Sequence, residues 1–422
     1  MDRIIYDNYV AILKAELIPA LGCTEPIAIA YAAGKARQVL GTVPERIDIY
    51  FSGNILKNVK GVTVPNSGGM KGVDSAAILG AVGGDPDREL EILETLTEEE
   101  IKKAHALKGT AFCTSHLLPE KENLYIRAEV FSGNDSALVE IRSKHTHITR
   151  IEKNGKCLFS QADSPSTMTV SADRSLLNLT QILEFANTVD IEDVKDVLDR
   201  QIEMNLAISD EGLRNNYGAN VGKVLLQTHG ETLTNRAKAA AAAGSDARMS
   251  GCTLPVVINS GSGNQGITVT MPVLTFATNK GLTRDQLYRC LIVSNLMAIH
   301  QKKYIGSLSA YCGAVSAACG SGAAITYMAG GDEKAIARTV TNTIANIGGM
   351  VCDGAKPSCA AKIASAVDAA IMAHYMAMAG QSFQPGEGMV KDDVEKTIES
   401  IGRMGRVGMH PTDVEILNIM ME

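Results

Sequence analysis

Cys352-Asp353-Gly354-Ala355-Lys356-Pro357-Ser358-Cys359 lies between two helical patterns, Glu333–Ile347 and Ala360–Ala379, and turns the chain from one to the other. Gly354 can take positive φ and Pro357 cannot continue a helix, so the chain folds back here with a thiol at each end of the turn. A third thiol stands well upstream, in Tyr311-Cys312-Gly313-Ala314-Val315. Thiolates favour soft metals, and Cys-held clusters are a common use of thiols scattered along a chain. Three ligands rather than four leave one iron open to substrate, as a catalytic zinc site keeps one position open. Free cysteine is also among the most buried residue types, so three small core hydrophobes fit the same spacing.

Working outward, the stretch from Leu176 is dominated by helical patterns rich in Ala and other small residues. They cover Leu176–Thr188, Ile191–Leu213, Glu231–Ala243 and Arg284–Gln301 besides the two around the turn. Nearer the N-terminus the signals are mixed. A first helix is expected from Asp2 to about Leu17, stopping before Pro19. A second follows the link Ala20-Leu21-Gly22-Cys23 and ends near Leu40-Gly41, with Thr24 as its N-cap, Glu25 at its positive end and Pro26 in its first turn. Strands are expected at Arg46–Phe51, Leu124–Phe131, Ala137–Ile151 and Cys157–Phe159, with turn chemistry at Gly133-Asn134-Asp135 and Asn154-Gly155. Thr97 and Glu100 form a capping box that opens a short helix to Leu107. The expected fold is α+β overall. An α/β domain spans 1–170, with antiparallel strands and the helix start at Cys23, and a mainly helical domain spans 171–422 and carries the three candidate ligands.

With 422 residues the chain has room for two or three cores. Tryptophan is absent and aromatics make up 4%, so those cores are aliphatic, with Ala, Gly and Met. A net charge of −7 with dispersed Lys and Arg argues against a nucleic-acid surface. No run of apolar residues is long enough for a membrane span, and acids stand where a signal peptide is basic. Nine cysteines in such a chain point to thiols in a reducing cytoplasm rather than to disulfides.

Other segments carry possible chemistry. Cys23 precedes a helix start, where backbone N–H groups lower a thiol pKa and make a base or nucleophile; a buried structural thiol is the alternative. Ser260-Gly261-Ser262-Gly263-Asn264-Gln265-Gly266 contains a literal G-x-G-x-x-G after the strand-like Leu254–Ile258. A dinucleotide site needs a βαβ unit with an acid closing its second strand, and none follows. The segment reads better as a turn whose N–H groups, with Ser260, Ser262, Asn264 and Gln265, hold a small anion such as a carboxylate. Asn66-Ser67-Gly68-Gly69 is a second turn of that kind. His300 reads as a core histidine, and Met372–Met378 as packing.

Together Leu21–Ala28, Ser260–Gly266, Leu308–Gly313 and Cys352–Cys359 resemble, in order, the signature segments of the L-cysteine desulfidase family, which is related to the iron–sulfur L-serine dehydratase α-chain. The resemblance implies an oxygen-labile [4Fe–4S] cluster held by Cys312, Cys352 and Cys359, with no pyridoxal phosphate. It implies a carbon–sulfur lyase that eliminates sulfide from L-cysteine to give pyruvate and ammonia, with Cys23 as the base. Ser67, Gly68, Ser260, Ser262, Asn264 and Gln265 would bind the substrate. Single-chain serine dehydratases often carry a cysteine in the tail; Glu415–Glu422 has none, which favours the desulfidase branch. L-serine or a related amino acid as substrate, a non-catalytic iron–sulfur or thiol sensor, and a nucleotide-binding protein are the alternatives. The expected partners are a small amino acid and, in a homo-oligomer, further copies of the chain, with no nucleic acid and no membrane.

Overall fold

A computed structural model describes residues 1–118, 124–161, 172–306 and 308–422. The boundary expected at 170–171 lies outside the described residues. In the first part, α1 (Arg3–Glu16), β1 (Pro19–Leu21), α2 (Thr24–Leu40), β2 (Arg46–Phe51), α3 (Gly53–Val59), α4 (Val73–Val82) and α5 (Glu98–Leu107) precede β3 (Cys113–Leu117), β4 (Tyr125–Ser132), β5 (Asp135–Arg142), β6 (Ile148–Lys153) and β7 (Lys156–Ser160). Helices then dominate: α6 (Leu179–Thr188), α7 (Lys195–Arg214), α8 (Val221–His229), α9 (Leu233–Met249), then β8 (Pro255–Val257), α10 (Gly263–Lys280), α11 (Arg284–Ile305), α12 (Gly313–Met328), α13 (Glu333–Ile347), α14 (Cys359–Met378), α15 (Val394–Arg403) and α16 (His410–Met421). The expected architecture, a mixed N-terminal sheet with helices followed by a predominantly helical part, is the one found.

The main sheet has the order β3-β2-β4-β5-β6-β7, parallel only between β2 and β3. That parallel pair needs a crossover, and α3, α4 and α5 supply it. Alternation decides which face is buried: Ile47, Ile49 and Phe51 of β2, Ile126, Ala128 and Val130 of β4 and Val139 and Ile141 of β5 all point into the core. The helix α2 packs across β4 and β5 on that face. The single strand expected over Ala137–Ile151 is two, because Ser143 takes φ 65° and Arg142 N–H bonds to the His147 carbonyl across a tight turn. The capping box at Thr97 and Glu100 forms as expected, whereas Cys23, not Thr24, is the N-cap of α2.

Of the helices that escaped the sequence reading, which include α3, α4, α8, α15 and α16, two did so for opposite reasons. Gly313–Met328 is apolar almost all round and shows no period; α12 is correspondingly sunk among α10, α11, α13 and α14. In α10, Pro272 signalled a break, yet the helix continues through it, held by α9 and α12 on its flanks. Met372 and Met378, expected as packing, are about half exposed on the outer face of α14. No helix among the described residues is long and apolar enough to cross a membrane.

Two short pairings join distant segments. The antiparallel ribbon of β1 and β8, Pro19 opposite Val257 and Leu21 opposite Pro255, brings the approach to Cys23 beside the approach to Ser260–Ser262. A lone bridge between Tyr311 and Val351, with Cys312 N–H bonded to the Met350 carbonyl at 2.9 Å, draws Cys312 to Cys352. The turn Cys352–Cys359 is seated from below: Gly354 has φ 93°, and a Cβ there would collide with the Lys57 carbonyl oxygen. Lys57 in turn is buried and pairs with Asp413 of α16 at 2.5 Å. Gly266 plays a like part in α10, where a Cβ would strike the Val257 carbonyl of β8. The Gly266→Ala protein is therefore expected to lose about 1–3 kcal/mol of stability by overpacking, read as a fall in melting temperature; an unchanged melt would show that α10 can move off β8 freely.

Candidate active site

Four helices begin at one cavity of about 100 Å³. Cys23 is the N-cap of α2, Ser262 of α10, Cys312 of α12 and Ser358 of α14, and none of the four side chains caps its own helix among the described residues. A helix start presents unpaired N–H groups and roughly half a positive charge, so this convergence favours an anion. The wall includes Cys23, Glu25, Arg248, Ser262, Asn264, Gln265, Lys302, Cys312, Cys352 and Cys359. Thus Cys23, all three candidate ligands, and Ser262, Asn264 and Gln265 meet as expected.

Three expected residues do not reach the cavity. Ser67 donates within its own turn, to the Val64 carbonyl at 2.6 Å, and Gly68 abuts His105 of α5. Ser260 donates to Asn259 Oδ1 at 2.9 Å and faces a second cavity with His145. Nor is a dinucleotide site formed: β8 is a three-residue strand in a two-stranded ribbon, and Gly261–Gly266 lacks the βαβ unit that such a site requires. His300 is a core histidine, its Nε2 2.7 Å from Glu395 Oε2.

The three thiols feel one another. Burial, then the neighbouring Cys352 and more weakly Cys359, pushes the Cys312 thiol up to about 12. Burial likewise raises Cys359, with Cys352 adding to the effect. The Lys302 ammonium borders the same cavity, fully buried; burial pulls it down to about 8 while Cys352 and Cys312 push back. Among the described residues no three His, Cys, Asp or Glu side chains converge as a set for a metal ion. A cluster, whose cysteines reach separate irons, calls for thiols spread around a cavity, and that is the arrangement here. Donor chemistry, a buried cation and four helix starts all fit an anionic thiolate cluster.

Cys23 corrects the expectation of a depressed thiol pKa. Its Sγ is buried and donates to Glu25 Oε2 at 3.0 Å. Burial first, and the Glu25 carboxylate second, push the thiol well above its ordinary value, against a smaller opposing pull from Arg248. The helix start is outweighed because no water reaches the sulfur. Glu25 is the opposite case: burial disfavours its charge, yet His145 and the Cys23 thiol hold its carboxyl down to about 2. His145 Nε2 lies 3.7 Å from Glu25 Oε1, and Thr24 Oγ1 is 3.1 Å from Oε2. The pair Cys23–Glu25 therefore shares one proton, resting on sulfur.

Arg248, Lys302 and His145 were not singled out from the sequence. Arg248 had a signal: it and Asp246 are charges in the run Ala239–Met249, otherwise made of small residues, Lys-free and fully buried. Its Nε donates to the Gly22 carbonyl at 2.9 Å, just before Cys23. Lys302 stood just past the helix expected over Arg284–Gln301, and His145 within the strand expected over Ala137–Ile151; neither pattern separates a site from a surface.

The chain belongs to the serine dehydratase alpha chain family, whose model matches residues 87–418. It is 52% identical over 417 residues to a UPF0597 protein of Lachnoclostridium phytofermentans, covering 99% of this chain and 100% of that one. A UPF0597 protein of Desulfitobacterium hafniense is 49% identical, with 99% and 97% covered, and one of Aeromonas hydrophila 39%, with 98% and 96%. The family match includes Arg248 and the three cysteines but begins after Cys23 and Glu25, which only the full-length relatives span.

The protonated, buried state of Cys23 predicts slow alkylation. With iodoacetamide on cluster-free protein at mildly alkaline pH, mass spectrometry should find the exposed Cys157 modified well before Cys23. Glu25→Gln removes a charge that raises the thiol and should speed Cys23 modification several-fold; equal rates in both proteins would remove Glu25 as the cause.

Proposed function

We propose that this protein is a lyase that eliminates the β-substituent of a small amino acid, L-cysteine in the first place, giving pyruvate, ammonia and sulfide. The observation that carries the reading is the meeting of Cys312, Cys352, Cys359 and Cys23 on one cavity at four uncapped helix starts. Serine dehydratase alpha chains use an iron–sulfur cluster in general. Cys312, Cys352 and Cys359 are the residues to hold a [4Fe–4S] cluster here, and when bound it supplies a soft Lewis acid for the leaving group.

The chain's own groups handle the proton. Elimination needs a base at Cα, and Cys23, at the start of α2, lines the same cavity as Cys312. To act, it must first lose its own S–H proton and become a thiolate, a loss that the ionised Glu25 carboxylate at 3.0 Å opposes. Burial makes that thiolate scarce but strongly basic, which suits a weakly acidic Cα–H, and Arg248 favours its charge. Loss of the Cα proton to Cys23 and of the β-sulfur as sulfide leaves 2-aminoacrylate. Sulfide takes up a proton and departs, and the aminoacrylate tautomerises and is hydrolysed by water to pyruvate and ammonia. Exclusion of water from the cavity protects both thiolate and cluster. A redox sensor is disfavoured by the same geometry, since sensor cysteines are exposed and low in pKa whereas Cys23 is buried and raised.

Anaerobic reconstitution with iron and sulfide is expected to give the broad brown absorbance of a [4Fe–4S] protein that forms pyruvate from L-cysteine. Serine in place of Cys312, Cys352 or Cys359 should each abolish the absorbance; three variants that all load normally would refute the ligand set. Cys23→Ala should load fully and lose turnover by about 10²–10⁴-fold, the usual contribution of a positioned base. Near-normal turnover in that variant would return Cys23 to a packing role.

A further inference from the structure

The polar wall of the same cavity reads the two charges of a free amino acid separately. Arg248 is a fully buried cation on a cavity whose wall also holds the ionised Glu25: its Nε donates to the Gly22 carbonyl, and its guanidinium bears directly on Gly263, where a Cβ would lie 2.3 Å from Nε and 2.7 Å from Cζ. It therefore stands between Cys23 and the first turn of α10. In that turn Asn264 Oδ1 and Gln265 Oε1 are buried and find no hydrogen-bond partner among the described residues. Gln265 is itself only 4% exposed and packs on Gly313, next to Cys312. A buried carbonyl oxygen without a donor is destabilising by about 1–3 kcal/mol, so two of them aimed into one small cavity call for a donor-rich ligand group.

The geometry points to Arg248 as the anchor of a substrate carboxylate, and to the side-chain oxygens of Asn264 and Gln265 as acceptors for its α-ammonium. A guanidinium is the fitted partner of a carboxylate, which takes two of its N–H groups in a fork. An ammonium has donors only, and carboxamide oxygens accept. The division reverses the role first expected for Asn264 and Gln265, which were read as carboxylate contacts. It rests on the reading of the cavity as an amino-acid site, and it narrows the substrate class to molecules that keep both charges on one carbon. An N-acylated amino acid loses the ammonium, and a residue within a peptide loses one charge or both. With the carboxylate on Arg248, beside Cys23, the Cα–H lies at the base and the side chain extends toward Cys312, Cys352 and Cys359.

Two fragments of cysteine, each lacking one charge, separate the two halves of the site. Binding of 3-mercaptopropionate and of cysteamine to anaerobically reconstituted protein is measured by calorimetry, which needs no turnover. Arg248→Gln should weaken 3-mercaptopropionate about tenfold or more and alter cysteamine less than about twofold. Gln265→Glu keeps the shape and adds a negative charge, so it should strengthen cysteamine and weaken 3-mercaptopropionate; Asn264→Asp should do the same. Because Arg248 also holds Gly22, Arg248→Lys provides a folded control that keeps the charge, and it should retain most of the carboxylate binding. Equal losses for both fragments in Arg248→Gln, weaker cysteamine binding in Gln265→Glu, or no binding of either fragment by the wild type would each overturn the assignment. A protein that shows the crossed pattern but makes no pyruvate from cysteine would leave this recognition standing and refute the proposed reaction instead.

Discussion

Four positive helix ends aimed at one cavity of about 100 Å³ form the constraint around which the rest of this protein is arranged. Helix starts are ordinarily quenched by a Ser, Thr, Asp or Asn cap, and several in this chain are: Asp2, Thr97, Thr232, Thr283, Asp332 and Asp393 each accept from their own helix, whereas α3, α4, α7, α8 and α16 begin without a side-chain cap. At the cavity the caps are Cys23, Ser262, Cys312 and Ser358, and the N–H groups point inward unquenched. Bringing four such ends together is repulsive unless negative charge lies between them. Glu25, ionised even when buried, supplies part of it, and anionic sulfur and a carboxylate would supply the rest.

Burial and charge pull against each other throughout the site, and burial wins at sulfur. Helix ends and Arg248 favour thiolates, yet the thiols of Cys23, Cys312 and Cys359 are all raised because burial outweighs both. The protein alone therefore keeps these sulfurs protonated. Ligation reverses the balance, because a soft metal replaces the proton outright instead of leaving bare charge. Lys302, a buried cation beside Cys352 and Cys312, is compatible with that outcome.

Much of this was legible in the chain. The alternation of Ile47, Ile49 and Phe51, the Thr97–Glu100 capping box and the turn residues Asn154 and Gly155 are local signals, and the structure follows them. The three cysteines could be nominated from their turn and their resemblance to a family. What was hidden depends on contacts between distant segments. Ser67 has the same kind of Gly-rich surroundings as Ser262, and only the β1–β8 ribbon decides that the second faces Cys23 while the first closes its own loop. The sign of the Cys23 shift was missed because a helix start is visible in sequence and the depth of its burial is not. Arg248 stood out only as a charge among small residues, with nothing local to say what it faced.

The ribbon of β1 and β8 also fixes when the site can exist during synthesis. Cys23 leaves the ribosome well before the strand that holds its approach, and Cys359 about a hundred residues after that strand. Lys57 then waits for both the Cys352–Cys359 turn above it and Asp413 beneath it. The walls of the cavity therefore meet only once Cys359 and Asp413 are both made. A cluster of the kind proposed would find its three thiols together only in the finished fold.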